Sequence, residues 1–163
     1  MTEINIDPEI WGPSFWNTME ALACTLSATN KKNIGFFFEN LRSIIPCENC
    51  RNHYNEYCEK YRIEKYLQNP LTLLVWLYIL KTKIKTRQER DIPKFMDWIE
   101  HLAEKFDIPE IYYYIDKNNE FLDMKRRWEM KPSTQLKRYR LKEYEYCLNY
   151  CGKQSGLGTV GIK

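Results

Sequence analysis

The sequence predicts an all-α fold: a bundle of four or five helices with a partly helical C-terminal extension. Apolar residues recur at three- and four-residue steps through most of the first 108 residues, and no strand-like alternation competes with this pattern. The 163 residues are enough to bury one core, and two large domains are excluded. A hydrophobic content of 44% with 6 glycines and 7 prolines also excludes a disordered or collagen-like chain.

The first two helices are predicted over residues 13–27 and 33–45. Ser14, beside Pro13, is a candidate N-cap for the first helix, and Pro46 stops the second. Apolar residues recur at near-helical steps in both segments: Ile10, Phe15, Met19, Leu22 and Leu26 in the first, and Ile34, Phe37 or Phe38, Leu41 and Ile45 in the second.

Three further helices are predicted before residue 108. The third follows Pro46 directly and is rich in polar helix formers. The fourth covers residues 71–86, is apolar on most sides at first, and should be the most buried. The fifth opens at Ile92–Pro93 and repeats apolar residues as far as Phe106.

The composition changes after Pro109, so we expect a helical domain over residues 1–108 and an extension over 109–163. Residues 111–124 are aromatic and fit either strand or helix. Residues 124–142 carry eight basic residues against one acid. A solvated helix face explains this stretch most simply, and binding of nucleic acid or another anionic surface is the alternative. The glycine-rich last dozen residues predict a mobile tail.

The chain's opening and its longest apolar run both bear on localisation. The first ten residues lack a basic segment followed by an apolar one, so we expect no signal peptide and a cytoplasmic protein. Residues 71–80 form the longest apolar run, about half the length that a membrane crossing needs, so no membrane span is predicted. The net charge of +3 is too small to indicate nucleic acid by itself. Six cysteines would be reduced in the cytosol unless they bind metal or perform redox chemistry.

Cys47 and Cys50 form a C-x-x-C at the start of the third helix. Such a pair can be a redox dithiol, half of a zinc site or a coincidence. Two thiols on a helical first turn can close a disulfide and share a lowered pKa, which favours redox chemistry. Zinc would need a second pair, and the one candidate, Cys147 with Cys151, is distant and spaced C-x-x-x-C. We therefore predict a redox pair at Cys47 and Cys50, with no metal assigned, and zinc is the second interpretation.

The remaining cysteines and the two histidines give weaker signals. Cys147 and Cys151, near the glycine-rich end, are either a mobile shuttle dithiol that exchanges with the first pair or two surface thiols. Cys24 is predicted to be a buried structural thiol, and Cys58 has no assigned role.

His53, one turn after Cys50, could tune the thiol or be a plain surface residue. The other histidine, His101, lies in the fifth amphipathic helix and is interpreted as structural. The sequence has no Ser/His/Asp set and no glycine-rich phosphate loop, so hydrolase and nucleotide-dependent functions lack support.

Two motifs in this order carry a resemblance to a known family. Residues 11–16 read WGPSFW, and residues 45–54 read IPCENCRNHY. A further helix then contains Trp76-Leu77. This order and separation resemble the Erv/ALR family of FAD-dependent sulfhydryl oxidases, and most of all the compact members that large DNA viruses encode. The resemblance covers residues 10–106.

The resemblance implies a small helical bundle, commonly a homodimer, that holds FAD beside the C-x-x-C. Cys50 would be the sulfur next to the flavin, and Cys47 would exchange with incoming thiols. Gly12 and Trp16 would contact the flavin from the first helix, and His53 would line the cofactor site. Electrons would pass from client dithiols through the pair and FAD to oxygen, giving hydrogen peroxide. The clients would be thioredoxin-like or viral proteins, in the host cytoplasm or the virion.

The fourth helix departs from the family pattern W-x-x-x-x-H-N-x-V-N. In this register Trp76 and Ile84 match as cofactor-binding positions, but residues 81–85 read KTKIK, without the histidine and asparagines that hold the adenine end of FAD. Lys81 and Lys85 share a helix face and could bind the FAD diphosphate, or they could be a solvated basic helix end. The alternative function is accordingly a non-enzymatic Erv/ALR-fold interaction protein that has lost FAD and binds a partner or nucleic acid through its basic C-terminal segment.

Overall fold

The computed structural model describes residues 3–130 and 136–155, with side chains described over 3–130 and 143–153. These residues form eight α-helices and one short 3-10 helix, and they include no strand. The prediction of an all-α protein is confirmed. The α-helices are α1 (Pro8–Cys24), α2 (Lys31–Ile44), α3 (Glu48–Lys60), α4 (Pro70–Arg87), α5 (Phe95–Phe106), α6 (Ile111–Asp116), α7 (Asn119–Glu129) and α8 (Leu136–Ser155), and the 3-10 helix is Ile63–Tyr66.

Helix α1 begins five residues earlier than the sequence pattern predicts. The Asp7 carboxylate accepts a hydrogen bond from the Glu9 amide at 2.9 Å, and Pro8 occupies the first turn, where its missing N–H costs nothing. Pro13 therefore lies inside the helix rather than at its start. The predicted end at residue 27 is also wrong, because the Thr25 hydroxyl donates to the Ala21 carbonyl oxygen and the chain turns there.

The aromatic stretch after Pro109 is helical, which settles the choice between strand and helix. The Asn118 side chain accepts hydrogen bonds from the Glu120 and Phe121 amides and so starts α7. Helix α8 then continues to Ser155, so residues 152–155 of the expected mobile tail are helical. The rest of that tail, residues 156–163, lies outside the described residues.

The chain forms two compact units, Met1–Leu73 and Leu74–Lys163, and the boundary between them falls within α4. The second unit contains α5 as well as α6 to α8, so it extends to both sides of residue 108. Among the described helices, none combines the length and the apolar character that crossing a membrane requires.

In the first unit, α2 packs against α3 and the 3-10 helix. The buried Tyr54 hydroxyl donates to the Phe38 carbonyl oxygen at 2.8 Å. Arg42 joins the two helices through Asn55 and through an ion pair with Glu59. These contacts fix α3 and, with it, the Cys47–Cys50 pair at its start.

The core of the second unit is aromatic. Phe95 of α5 contacts Tyr78 of α4 and Phe121 of α7, with ring centroids 5.1 and 5.4 Å apart. Phe121 in turn meets Tyr150 of α8 edge to face at 5.4 Å. Helix α8 also supplies Glu143, whose carboxylate accepts a hydrogen bond from the Phe95 amide at the start of α5. The residues after 109 therefore complete the core that contains α5.

Candidate functional site

Cys47 and Cys50 form a disulfide at the N-terminus of α3, with their Cα atoms 5.2 Å apart. Cys47 is the N-cap of the helix, in extended backbone conformation, and its Sγ accepts a hydrogen bond from the Cys50 amide at 3.3 Å. Both residues are half-buried. A thiol in this position is stabilised as thiolate by the helix dipole and by the amide donor, which suits a pair that cycles between disulfide and dithiol.

Arg51 holds the loop that precedes the disulfide. One guanidinium nitrogen donates to the Ile45 carbonyl oxygen at 2.7 Å, and another pairs with the Glu3 carboxylate at 2.5 Å. The guanidinium is rigid and planar, so these two bonds fix residues 45–47 against the N-terminal segment. Sequence reasoning assigned no role to Arg51, since its partners lie in two other segments of the chain.

The N-terminal segment connects the disulfide loop to α1. The Asn5 side-chain oxygen accepts from the Glu48 amide at 2.7 Å, and the Ile6 amide donates to the Pro46 carbonyl oxygen at 2.8 Å. The Trp11 indole donates to the Ile6 carbonyl oxygen at 3.0 Å. The first turn of α1 is therefore tied to the Cys47 loop through residues 5 and 6.

Gly12 follows Trp11 on α1, and a Cβ built at Gly12 would meet nothing within 4 Å. Trp16 lies one turn further along and is half-buried. This part of α1 therefore offers open helix backbone beside an indole ring, a surface that fits a flat aromatic ring system such as isoalloxazine. His53 is exposed on α3. Its predicted part in lining the cofactor site stays a prediction.

The other cofactor positions that the resemblance implies belong to the second unit. Trp76 is completely buried and Ile84 half-buried on α4. The Lys81 ammonium lies 5.3 Å from the centre of the Trp98 ring, and the Lys85 ammonium donates to the Asp91 carbonyl oxygen at 3.1 Å. Burial, together with the charge of Lys81, lowers the pKa of Lys85.

Two of the remaining cysteines lie in the first unit. Cys58 is buried on α3, and burial raises its pKa to about 12, although the hydrogen bond with Tyr54 opposes the shift. Such a thiol is almost entirely protonated near neutral pH and is a poor nucleophile. Cys24 is half-buried at the end of α1 rather than fully buried as expected.

Cys147 and Cys151 are one turn apart on α8, and each is 0% exposed. Neither is the surface thiol that one interpretation of the sequence expected. Burial raises the pKa of Cys147 well above its usual range. Glu143 lies one turn before Cys147, so a carboxyl group and two thiols recur at four-residue steps on the buried face of α8. The structure neither pairs them with Cys47 and Cys50 nor exposes them.

Part of the basic stretch is described, and its side chains interact within the second unit. Lys125 pairs with Asp116 at 2.8 Å, and Arg127 with Asp123 at 2.6 Å. The Trp128 indole donates to Asp97 at 2.6 Å. Lys131 and the side chains of residues 136–142 lie outside the described part of the chain. In that described part, no three His, Cys, Asp or Glu side chains are grouped so as to hold a metal ion.

Comparison with known proteins points to the same class of chemistry. The chain is 20% identical over 88 residues to a protein of Invertebrate iridescent virus 3 that is named as an FAD-linked sulfhydryl oxidase. The match covers 52% of this chain and 60% of the relative's length, so the chain spans less than two thirds of that relative. No family model matches the chain. No solved structure matches it either. The comparison therefore gives a distant similarity to a viral sulfhydryl oxidase.

Proposed function

We propose that the chain is an FAD-dependent thiol oxidase that makes disulfides in client proteins. The observation that carries this proposal is the Cys47–Cys50 disulfide, formed at a helix N-terminus and held by bonds from the N-terminal segment. The distant similarity to a viral oxidase supports the same activity.

In the proposed exchange, Cys47 and Cys50 take the roles that the resemblance implies. A client thiolate attacks the Cys47 Sγ, the Cys47–Cys50 bond breaks, and Cys50 leaves as the thiolate. The second client thiolate then attacks the client sulfur of the mixed disulfide, and Cys47 leaves. The Cys50 amide donates to the Cys47 Sγ, which stabilises this second leaving group. The client has lost two electrons, and the Cys47–Cys50 pair is reduced.

The open face of α1 fits the ring of the cofactor, and Gly12 and Trp16 would hold it there. When bound, FAD would take the two electrons of the Cys47–Cys50 dithiol and deliver them to oxygen, giving hydrogen peroxide. In the second unit, Lys81, Thr82 and Lys85 stand at the positions of the family's histidine and two asparagines.

The remaining partners are proposals of the same kind. The clients are protein dithiols, thioredoxin-like or viral, and the oxidase acts as a homodimer with oxygen as the acceptor. Cys147 and Cys151 would serve as a shuttle pair only after the buried face of α8 separates from its contacts.

The test is a visible absorption spectrum of the purified full chain, followed by oxygen uptake with dithiothreitol. The wild type should show a flavin band and consume oxygen, and Cys50→Ser should retain the band and lose the uptake. Cys24→Ser is the matched control, since Cys24 lies on α1 and outside the disulfide. Its uptake should equal that of the wild type.

A second candidate function follows from the lysines at residues 81–85, because the usual adenine-binding side chains are absent. The chain would then be an interaction protein with the same fold, in which Cys47–Cys50 is a structural disulfide. A colourless protein that stays inactive after FAD is added would establish this candidate and contradict the oxidase.

A further inference from the structure

Four exposed isoleucines border the disulfide loop. Ile4 is 85% exposed, Ile6 44%, Ile10 74% and Ile44 58%. Seven large hydrophobic side chains are exposed in the described part of the chain. Ile44 is three residues before Cys47, and the other three isoleucines belong to the N-terminal segment and first turn of α1, which hydrogen bonds connect to the Cys47 loop. Scattered exposed apolar residues are ordinary, but a group of them beside a reactive disulfide requires an explanation.

Hydrogen bonds and one ion pair bring the chain segments that carry these isoleucines to the loop. Ile6 donates its amide to the Pro46 carbonyl oxygen, and Ile44 precedes Pro46 by two residues. Ile4 lies between two residues that bind the start of α3: Glu3 pairs with Arg51, and Asn5 accepts from the Glu48 amide.

Ile10 belongs to the first turn of α1, next to Trp11, which donates to the Ile6 carbonyl oxygen. We name these four side chains, Ile4, Ile6, Ile10 and Ile44, the isoleucine rim.

The rim carries a one-sided charge. Glu3, Asp7, Glu9 and Glu48 are all exposed, and residues 3–10 and 44–50 contain no lysine or arginine. Arg51 is the nearest base along the chain, and it pairs with Glu3. The surface next to the disulfide is therefore apolar and acidic, although the whole chain has a net charge of +3.

We propose that the isoleucine rim binds client polypeptides whose dithiol is flanked by apolar and basic residues. This inference rests on the proposed function for the identity of the occupant, because a client that exchanges with Cys47 would lie next to the segments that carry these side chains. The isoleucines would contact the client's apolar side chains, and the net negative charge that Glu3, Asp7, Glu9 and Glu48 leave after the Arg51–Glu3 pair would attract its lysines and arginines.

The net negative charge of the rim argues against two other occupants, a second copy of this chain and an anionic membrane. A two-fold dimer through the rim would bring two copies of the same net acidic surface together, which their charge disfavours. An anionic membrane surface would repel the same carboxylates. A basic and apolar peptide satisfies both features of the rim.

The test measures binding without oxidation. Three fluorescein-labelled peptides of equal length carry serine in place of each client cysteine, flanked by leucine and lysine, by leucine and glutamate, or by glycine and serine. Fluorescence anisotropy with the full-length disulfide form should show about tenfold tighter binding of the leucine–lysine peptide than of the other two. This difference between the lysine and glutamate peptides should shrink as salt is added.

The variant Ile4→Ser with Ile10→Ser should weaken binding of the leucine–lysine peptide about tenfold. Both side chains are exposed, so the fold should be retained, as far-UV circular dichroism would verify. Met130→Ser is the matched control, because Met130 is 78% exposed and belongs to the second unit. Its affinity should equal that of the wild type.

Equal affinities for the lysine and glutamate peptides would overturn the proposal, and so would an unchanged affinity in the double variant. A dimer that dissociates in the double variant while peptide affinity is retained would instead assign the rim to a second copy of the chain. Oxygen uptake by the wild type with dithiothreitol tests the oxidase separately, because that small thiol needs no rim. Failure of one proposal is thus distinguishable from failure of the other.

Discussion

Gly12 lies inside a helix, where glycine costs about 0.5–1 kcal/mol relative to alanine. Since a Cβ there would meet nothing within 4 Å, Gly12→Ala should raise the free energy of unfolding by about that amount. If the flavin ring lies against this backbone, the same substitution should lower the flavin content. Urea denaturation and the visible spectrum measure the two effects.

Gly35→Ala on α2 is the control for Gly12→Ala. A Cβ at Gly35 would come within 2.9 Å of the Leu67 Cδ1, the end of a flexible side chain that must shift. The higher helix propensity of alanine is then offset by this close contact, so the free energy of unfolding should change little. The flavin content should stay constant. Equal flavin loss in both variants would contradict a special role for Gly12.

The thiols should differ in their reactivity with iodoacetamide. In native protein at pH 8, Cys24 should be alkylated first, because it is half-buried. Cys58, with a pKa of about 12, would be thiolate in roughly one molecule in 10⁴. Cys147 and Cys151 should resist until the protein is denatured, since neither is exposed. Rapid native alkylation of Cys147 or Cys151, read by mass spectrometry, would show that α8 opens readily.

The C-x-x-C spacing predicted that Cys47 and Cys50 could close a disulfide, but it did not predict which residues hold the pair. The spacing of Cys47 and Cys50 after a proline is a local pattern, and the disulfide between them follows from it. Asn5 and Arg51 were missed because their bonds join segments more than 40 residues apart, which no local pattern encodes. The burial of Cys147 could not be foreseen for the same reason.

At the scale of elements, Glu143 makes the junction of α8 with α5 sensitive to pH. Its carboxylate accepts from the Phe95 amide, and burial raises its pKa to about 7, although Lys94 opposes the shift. Between its usual pKa of about 4.5 and 7 the folded state therefore binds more protons than the unfolded state. The free energy of unfolding should thus fall by about 2–3 kcal/mol as pH rises through this window.

Glu143→Gln should remove most of this dependence, because a neutral amide oxygen can still accept from Phe95 without carrying a buried charge. Urea denaturation at pH 5 and pH 8 would measure the change. Glu145→Gln, two residues on and exposed, is the control and should keep the wild-type slope. The same slope in both variants would show that Glu143 is not the source.

Element positions were predictable where the chemistry is local. Pro46 and Pro70 mark real boundaries, and the apolar repeat located α5. The start of α1 was misplaced because Pro13 was taken as a beginning, whereas the Asp7–Pro8 cap provides the stronger start. The aromatic residues of α6 and α7 gave no periodicity that separates helix from strand; in the structure α6 packs against α7, and α7 packs against α5.

At the scale of the whole molecule, the second unit requires the residues after 108. Phe95 contacts Phe121 of α7, and the start of α5 is capped by Glu143 of α8. A chain that ends at residue 108 loses both contacts and exposes the apolar face of α5. A chain that ends at residue 130 keeps the Phe95–Phe121 contact and loses the cap.

Cooperative stability should therefore fall from the full chain to 1–130 and again to 1–108, measured as urea midpoints by circular dichroism. If 1–108 unfolded at the same midpoint as the full chain, α5 would be stable without α7 and α8, and a domain boundary at residue 108 would be supported.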